Sequence, residues 1–133
     1  MKVERISTSR APAPLARYSQ AIRAGNTLYL QGIIPIDPDT GRVVVGDIEI
    51  HTRRVFESMK AILESAGMGM ENVVKITVFL ADPAEYSKFN EIYNAYFGTE
   101  PPPARTTVGS NLLLGARLEI DAIAYEPTRA RHS

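Results

Sequence analysis

Cysteine is absent from this sequence, and histidine occurs only at His51 and His132. Without cysteine the chain can form no disulfide, no thiolate nucleophile and no zinc site with sulfur ligands. Two histidines, one of them next to the last residue, do not favour a Ser-His-Asp triad or a multi-histidine metal site. We therefore expect no metal site, and any catalysis would use carboxylates, arginine, tyrosine, hydroxyls, amides or bound water.

A net charge and long apolar runs are also lacking. The 15 basic residues balance the 15 acidic residues, so no overall field attracts nucleic acid or an anionic membrane. No apolar run reaches the ~18 residues that a membrane-spanning helix needs, and residues 1–10 lack the apolar stretch of a signal peptide. These absences predict a cytoplasmic protein with no membrane partner and no nucleic-acid partner.

Length and composition indicate a single domain. The chain has 133 residues, of which 44% are hydrophobic, and this is enough to bury a core without disulfides or metal. The basic residues Arg129, Arg131 and His132 follow the last apolar pattern, where chain termini are usually solvated. We predict a domain over residues 1–126 and a disordered tail over residues 127–133.

Two segments have the periodicity of amphipathic helices. The first follows Asp47 and ends at Gly67, and its apolar positions are Ile48, Val55, Phe56, Met59, Ile62, Leu63 and Ala66. The second begins at Asp82, which is a candidate N-cap followed by proline and then by Glu85 at the third helical position. Its apolar stripe stops at Gly98 and consists of Phe89, Ile92, Tyr93, Tyr96 and Phe97.

Shorter runs rich in β-forming residues predict strands over residues 18–23, 27–31, 73–80, 105–108 and 117–125. A hairpin turn at residues 24–26 would join the first two runs. A segment rich in proline, aspartate and glycine, residues 35–41, predicts a loop before the first helix. With one further strand before the first helix, for which the pattern gives no bounds, the order β-β-β-α-β-α-β-β predicts an α+β domain with both helices on one face of the sheet.

Both sides of the predicted sheet are apolar. Strand alternation assigns to the helix-covered side Val74, Ile76, Val78, Leu80, Leu118, Ile120, Ala122 and Ala124. The opposite side still carries Phe79, Ile123 and Tyr125. Because two helices can cover only one side, we expect the second side to pack against other copies of the chain in a closed oligomer.

A series of short motifs runs along residues 6–125. The motifs are Ala11-Pro12-Ala13, Tyr18-Ser19-Gln20-Ala21, Gly25-Asn26, Gly32-Ile33-Ile34-Pro35, the run from Asn72 to Leu80, Asn90-Glu91-Ile92-Tyr93, Pro103-Ala104-Arg105 and the run from Leu118 to Ala124. Each motif is weak by itself. Together, in this order and at this spacing, they resemble the RidA/YjgF family of reactive intermediate deaminases, which is also called endoribonuclease L-PSP.

The resemblance implies a chorismate-mutase-like fold of about six strands with two helices on one face, assembled as a homotrimer with three clefts between subunits. It also implies hydrolysis of imines such as 2-iminopropanoate and 2-iminobutanoate, which form from enamines, to 2-keto acids and ammonia. The family reaction uses no cofactor. The implied partners are small 2-imino and 2-keto carboxylic acids and further copies of the chain.

Arg105 is the first candidate for both catalysis and substrate binding. Its planar guanidinium can bind a planar carboxylate through two parallel hydrogen bonds, and the prolines at 101–103 would stiffen the chain before it. The alternative is an arginine that opens a strand and pairs with a surface acid.

Glu119 and Tyr18 are the other candidate catalytic residues. Glu119 should lie on the side away from the helices, where it could orient water and transfer protons, a role that typically contributes ~10²–10⁴-fold. Alternatively it forms an interface ion pair with Lys75 or Arg117. Tyr18 matches the family tyrosine that walls the cleft, and its alternative is a half-buried strand tyrosine.

Further substrate-binding candidates are Gly32, Asn90 and Thr107. Gly32 would let the backbone approach the substrate so that its amide could donate, or it simply ends a strand. Asn90 resembles a family position near the cleft, or it lies on an exposed helix face. Thr107 shares a strand face with Arg105 and stands where many members have cysteine. We expect His51, in the first helical turn, to be solvated and not catalytic.

Two positions depart from the family pattern. Gln31 replaces a family serine near the substrate, so this substrate-binding candidate either donates a hydrogen bond or fills space. Arg17 stands where the family has proline, and it either favours a more anionic ligand such as a dicarboxylate or is solvated. These departures affect the substrate more than the fold.

The sequence leaves several functions open. An imine and enamine deaminase is the leading hypothesis. A non-catalytic trimer that binds small carboxylates, as a sensor or chaperone-like module, is motivated by Gln31. A deaminase for a larger, aminomuconate-like acid is motivated by Arg17 and Gln31. RNA cleavage, a label that the family also carries, is disfavoured by the zero net charge and by the lack of a histidine pair.

Overall fold

The computed structural model describes residues 2–127, so the predicted tail at 127–133 lies outside the described residues except for Pro127. Eight strands and two α-helices follow one another in these residues. In chain order they are β1 (Val3–Ile6), β2 (Ala21–Ala24), β3 (Thr27–Ile33), β4 (Ile36–Asp37), β5 (Arg42–Val43), α1 (Ile48–Ser65), β6 (Val73–Leu80), α2 (Tyr86–Tyr96), β7 (Ala104–Gly109) and β8 (Leu118–Tyr125).

Both helices begin near the predicted caps. The Asp47 carboxylate accepts a hydrogen bond from the Ile50 amide at 3.1 Å, and α1 ends just before Gly67, which has a φ of 76°. Asp82 also acts as a cap, but it caps a single 3-10 turn at residues 83–85, so α2 begins at Tyr86. The prediction that this helix starts directly after Asp82 was therefore three residues early.

Six strands form one mixed sheet in the order β1-β2-β3-β8-β6-β7. Strand β7 runs parallel to β6 at the sheet edge, and the other pairs are antiparallel. Helix α2 is the crossover between β6 and β7, because parallel neighbours need a long connection. The segment at 35–41 is more ordered than predicted, since β4 and β5 form a two-stranded hairpin there. Strands of two residues are too short to show a period in the sequence.

The core lies between one side of this sheet and the two helices. Val55, Phe56 and Met59 of α1 are fully buried, as are Ile76 of β6 and Ile120 of β8. Each such side chain contributes about 1.5–3 kcal/mol on burial. Phe56 also packs edge-on against Phe97, with the ring centroids 5.4 Å apart. The predicted arrangement, an α+β domain with both helices on one side of about six strands, is confirmed.

The alternation predicted for β8 is confirmed, but that for β6 was wrong at its start. Val74 is exposed and Val73 is buried, because the pairing of β6 with β8 shifts register between Val73 and Lys75. Such a bulge places two residues of one strand opposite one of its partner, so it reverses the side on which the first residues lie. The rest of β6 follows the expected pattern, with Ile76, Val78 and Leu80 buried.

The side of the sheet away from the helices is not covered within the chain. Tyr29 and Tyr125 are 50% and 43% exposed on this side, and Phe79 and Ile123 are half-buried. This uncovered apolar surface supports the expectation of an oligomer, which stays a prediction.

Among residues 2–127, neither helix has the length and apolar character required to cross a membrane.

Candidate active site

Arg105 lies on the edge strand β7, and its side chain turns toward α2. Its strand partner is Ile76, a core residue, so Arg105 extends on the helix-covered side of the sheet. Nη1 donates to Oδ1 of Asn90 at 2.8 Å, and Nη2 donates to the Tyr86 hydroxyl at 2.6 Å. Two neutral acceptors on one helix therefore hold the guanidinium, and no surface acid takes part in these contacts.

Aromatic rings support the same guanidinium. Its Cζ lies 4.5 Å from the ring centroid of Tyr93 and 5.6 Å from that of Tyr86. A cation held against aromatic faces is stabilised by their quadrupoles. Burial raises the pKa of the Tyr93 hydroxyl, although the charge of Arg105 opposes this shift, so the ring remains neutral. A guanidinium has five N–H groups, and the two used here leave donors for a ligand in the adjoining cleft, which also contains Pro103.

Glu119 lies on the opposite side of the sheet, beside Gly32. The two residues come from neighbouring strands, β8 and β3, at a register shift in their pairing. A Cβ built on Gly32 would collide with Oε2 of Glu119. The missing side chain of Gly32 is therefore what makes room for the carboxylate, and Gly32 and Glu119 form one unit.

The environment of Glu119 suits proton transfer. Burial raises the pKa of its carboxyl above the usual value, and the neighbouring charge of Asp121 raises it further. Within the chain, Glu119 forms no ion pair with Lys75 or Arg117, and the alternative of such an ion pair at an interface between copies stays a prediction. Lys75 Nζ donates to the Thr106 hydroxyl at 3.0 Å, and Arg117 pairs with Glu85 at 3.0 Å.

Tyr18 and Gln31 line the cleft into which Glu119 opens, whose volume is about 410 Å³. Tyr18 precedes β2 in a loop and is 47% exposed, so the prediction of a strand beginning at residue 18 was wrong. The Tyr18 hydroxyl accepts from the Leu15 amide at 3.1 Å, and its own hydrogen stays available to a ligand. Arg17 is exposed and is not among the residues that line this cleft.

The candidate residues therefore form two groups in one chain. Arg105 and Asn90 line a cleft beside α2, whereas Tyr18, Gln31, Gly32 and Glu119 line the other, and the two clefts share no residue. We call them the arginine cleft and the glutamate cleft. They open on opposite sides of the sheet, since Arg105 pairs with the core residue Ile76 while Glu119 pairs with Phe79 on the uncovered side.

Thr107 follows Arg105 on the same side of β7, as predicted, and is partly buried opposite Val78.

Sequence reasoning missed Tyr86 and the role of Tyr93 in holding Arg105. A signal was present, because Tyr86, Asn90 and Tyr93 are spaced by four and three residues and so share one helix face. Within residues 2–127, no three His, Cys, Asp or Glu side chains are grouped as a metal ion would require.

The expectation that His51 is solvated was wrong. Its side chain is 3% exposed, Nε2 lies 2.8 Å from the Val44 carbonyl, and Nδ1 lies 3.3 Å from the Arg117 amide. A neutral ring with the proton on Nε2 satisfies both contacts. His51 therefore joins the chain before α1 to the start of β8, and its ring is not presented to either of the two candidate clefts.

Comparison with known proteins decides the family. The family model described as "Endoribonuclease L-PSP" matches residues 8–126. The chain belongs to the endoribonuclease L-PSP family. This is the RidA/YjgF family that the motifs indicated, and the match extends over both clefts.

Relatives of the L-PSP family resemble the chain over nearly its whole length. A RutC family protein of Pyrococcus horikoshii is 52% identical over 92% of this chain and 98% of its own. Reactive Intermediate Deaminase A, chloroplastic, of Arabidopsis thaliana is 43% identical over 93% of this chain and 66% of its own. The crystal structure of Escherichia coli TdcF with bound serine has a TM-score of 0.86 at 32% identity, covering 92% of this chain and 98% of the other.

Proposed function

We propose that this chain hydrolyses small 2-imino acids to 2-keto acids and ammonia, with the arginine cleft binding the carboxylate and the glutamate cleft performing the chemistry. The observation that carries the proposal is that one chain has both groups the reaction needs. They are a guanidinium that two hydrogen bonds hold in place and a carboxyl whose pKa is raised by burial. The first group suits a planar carboxylate, and the second suits proton transfer, because a carboxylate with a raised pKa is a stronger base than an ordinary one.

The two clefts would work together in an oligomer. Since they open on opposite sides of one sheet, a small imino acid could not span them within one chain. A closed ring, and from the family resemblance a homotrimer, would bring the arginine cleft of one copy against the glutamate cleft of the next. Each interface of such a ring is the same pair of surfaces, so every copy would take part in two sites.

The reaction balances without a cofactor. Glu119 accepts a proton from water as the water oxygen bonds to the imine carbon, and this proton passes to the nitrogen to give a carbinolamine. The hydroxyl proton of the carbinolamine then follows to the nitrogen, the carbon–nitrogen bond breaks, and ammonia leaves as the 2-keto acid forms. Arg105 neutralises the carboxylate throughout, and the Tyr18 hydroxyl and the Gly32 amide are donors close to the reacting centre. Gln31, Asn90 and Thr107 would complete substrate binding.

The test is competition with semicarbazide. A dehydratase generates 2-aminoacrylate or 2-aminobut-2-enoate, whose imine is trapped as a semicarbazone that is followed by absorbance. The wild-type protein should suppress the semicarbazone, and Arg105→Ala should abolish that suppression. Arg105→Lys should be nearly as inactive, because an ammonium keeps the charge without the planar fork.

The matched control is Arg53→Ala, since Arg53 is an exposed arginine whose partner is Glu49 on the same helix. It should behave like the wild type. If Arg105→Ala and Arg53→Ala suppress the semicarbazone equally while both remain folded and assembled, the proposal is wrong.

One alternative has a specific observation in its favour. Gln31 places a long amide in the glutamate cleft, and the related TdcF of Escherichia coli was crystallised with bound serine, so a protein that binds small carboxylates without turnover is the second candidate. Carboxylate binding by calorimetry that depends on Arg105, together with unchanged semicarbazone formation, would favour it. RNA cleavage has less support, since the histidine in residues 2–127 is buried with both ring nitrogens engaged.

A further inference from the structure

One wall of the glutamate cleft is aliphatic. Besides its polar residues, the cleft is lined by Leu15, Ile34, Leu113 and Leu114. Leu113 and Leu114 are 77% and 62% exposed, and Leu15 is 58% exposed. Large apolar side chains grouped at the surface are costly in water, and such a group marks a binding surface more often than a lone exposed leucine does.

The backbone at this wall is also unusual. Leu114 has a φ of 59° and a ψ of 21°, and among residues 2–127 it is the one residue other than glycine with a positive φ. A side chain with a Cβ in this left-handed region costs free energy, and asparagine or glycine are the residues that adopt it readily. Backbone strain of this kind is found at functional sites. The strained backbone at Leu114 therefore indicates that its side chain has a function in the cleft.

We infer that Leu113, Leu114 and Leu15 form a subsite for the side chain of the substrate, so that this chain prefers 2-imino acids with branched aliphatic side chains over 2-iminopropanoate. The inference rests on the proposed function and specifies its substrate class. The cleft is polar at Tyr18, Gln31 and Glu119 and apolar at the leucines. An imino acid with an aliphatic side chain has the same division, with its reacting carbon at one end and a hydrocarbon at the other.

The experiment compares two substrates. A D-amino-acid oxidase with catalase converts D-alanine and D-leucine to 2-iminopropanoate and 2-imino-4-methylpentanoate, and semicarbazide competes for each. The wild type should have the higher kcat/KM with the leucine-derived imine. Leu114→Asn keeps a residue that tolerates positive φ but replaces the hydrocarbon with an amide. Leu113→Asn makes the same replacement of hydrocarbon by amide at the neighbouring position. Each should lower the preference for the larger imine about 10-fold, the scale expected from apolar pocket contacts.

Val45→Asn is the matched control, because Val45 is 97% exposed and lies outside this cleft, so the preference should not change. A preference that stays at the wild-type value in both leucine variants would overturn the subsite while leaving the proposed function intact. Loss of assembly in both variants, measured by light scattering, would assign the leucines to contacts between copies and would also overturn the subsite. Absence of turnover with either imine in the wild type would instead refute the proposed function.

Discussion

At the scale of single residues, the candidate site depends on a glycine that has no side chain and a carboxylate that fills the space. Gly32 and Glu119 were both predicted as site residues, but their mutual dependence could not be. They are far apart in the sequence, and strand alternation gives the side on which each lies without giving its partner across the sheet. The contact appears only when β3 and β8 pair with a shifted register.

Gly32→Ala should separate activity from stability. The added Cβ would collide with the end of the Glu119 side chain, which can rotate away, so the protein should fold with a stability within about 1 kcal/mol of the wild type. The displaced carboxylate should lower kcat/KM on the order of 100-fold, as small misplacements of catalytic groups do. Lys60→Ala is the control, since Lys60 is exposed on α1 and lines neither cleft. Equal kcat/KM in the two variants would contradict this reasoning.

The pH dependence of the reaction should report on the same carboxyl. If the ionised form of Glu119 accepts a proton from water, activity rises with pH, and the midpoint of the rise lies above the usual glutamate pKa because burial disfavours the charged form. Removing the like charge with Asp121→Asn should lower the pKa of Glu119 and move this midpoint to lower pH. A kcat/KM profile over the acidic and neutral range, compared with Asp39→Asn as an exposed control, checks the direction. A midpoint that moves upward or stays in place would be inconsistent with the assignment.

At the scale of helices and strands, most of the fold could be read from the sequence. The helix stripes, the cap at Asp47 and the alternation in β8 are local patterns, and a local pattern survives in the structure wherever nearby contacts dominate. The failures came from tertiary contacts. The bulge that exposes Val74 depends on how β6 meets β8, and the burial of His51 depends on the chain before α1 and the chain before β8 meeting at one ring.

His51 joins three elements, and its removal should weaken all of them. His51→Ala leaves the Val44 carbonyl and the Arg117 amide without their partner, and both contacts are part-buried. Since water can replace part of these contacts, the loss should be about 1 kcal/mol, at the low end of the cost of an unsatisfied group. His51→Gln should recover part of this loss, because an amide can both donate and accept. Urea unfolding at a fixed protein concentration measures the difference. Arg53→Ala, two positions along the same helix, should change stability by less than about 0.5 kcal/mol.

At the scale of the whole molecule, the sequence predicted that one apolar side of the sheet is not covered within a single chain. The apolar residues on both sides of the sheet indicated that further copies cover the second side, and the structure has that side exposed at Tyr29 and Tyr125. The sequence could not indicate that Arg105 and Glu119 open on opposite sides. That result follows from β7 being the edge strand beyond β6, a position set by the α2 crossover and not by any local motif.

Complementation between two inactive variants tests whether the site spans copies. Arg105→Ala and Glu119→Gln should each be inactive alone. Coexpressed in equal amounts, they should regain about a quarter of the wild-type activity, since random assembly pairs an intact arginine cleft with an intact glutamate cleft at that fraction of interfaces. Mixing the purified proteins without subunit exchange is the control and should give none. Persistent inactivity after coexpression, with mixed assemblies verified by mass spectrometry, would show that both groups act from the same copy.

The separation of the two clefts on one sheet has an evolutionary consequence. Arg105 and its supports Tyr86 and Asn90 all come from one β-α-β crossover. The leucines of the glutamate cleft and Glu119 come from segments elsewhere in the chain. A mutation at Leu113 or Leu114 therefore leaves Arg105, the proposed carboxylate-binding residue, and its supports unchanged. Descendants of such a chain can diversify toward new metabolites by altering one module while inheriting the other unchanged.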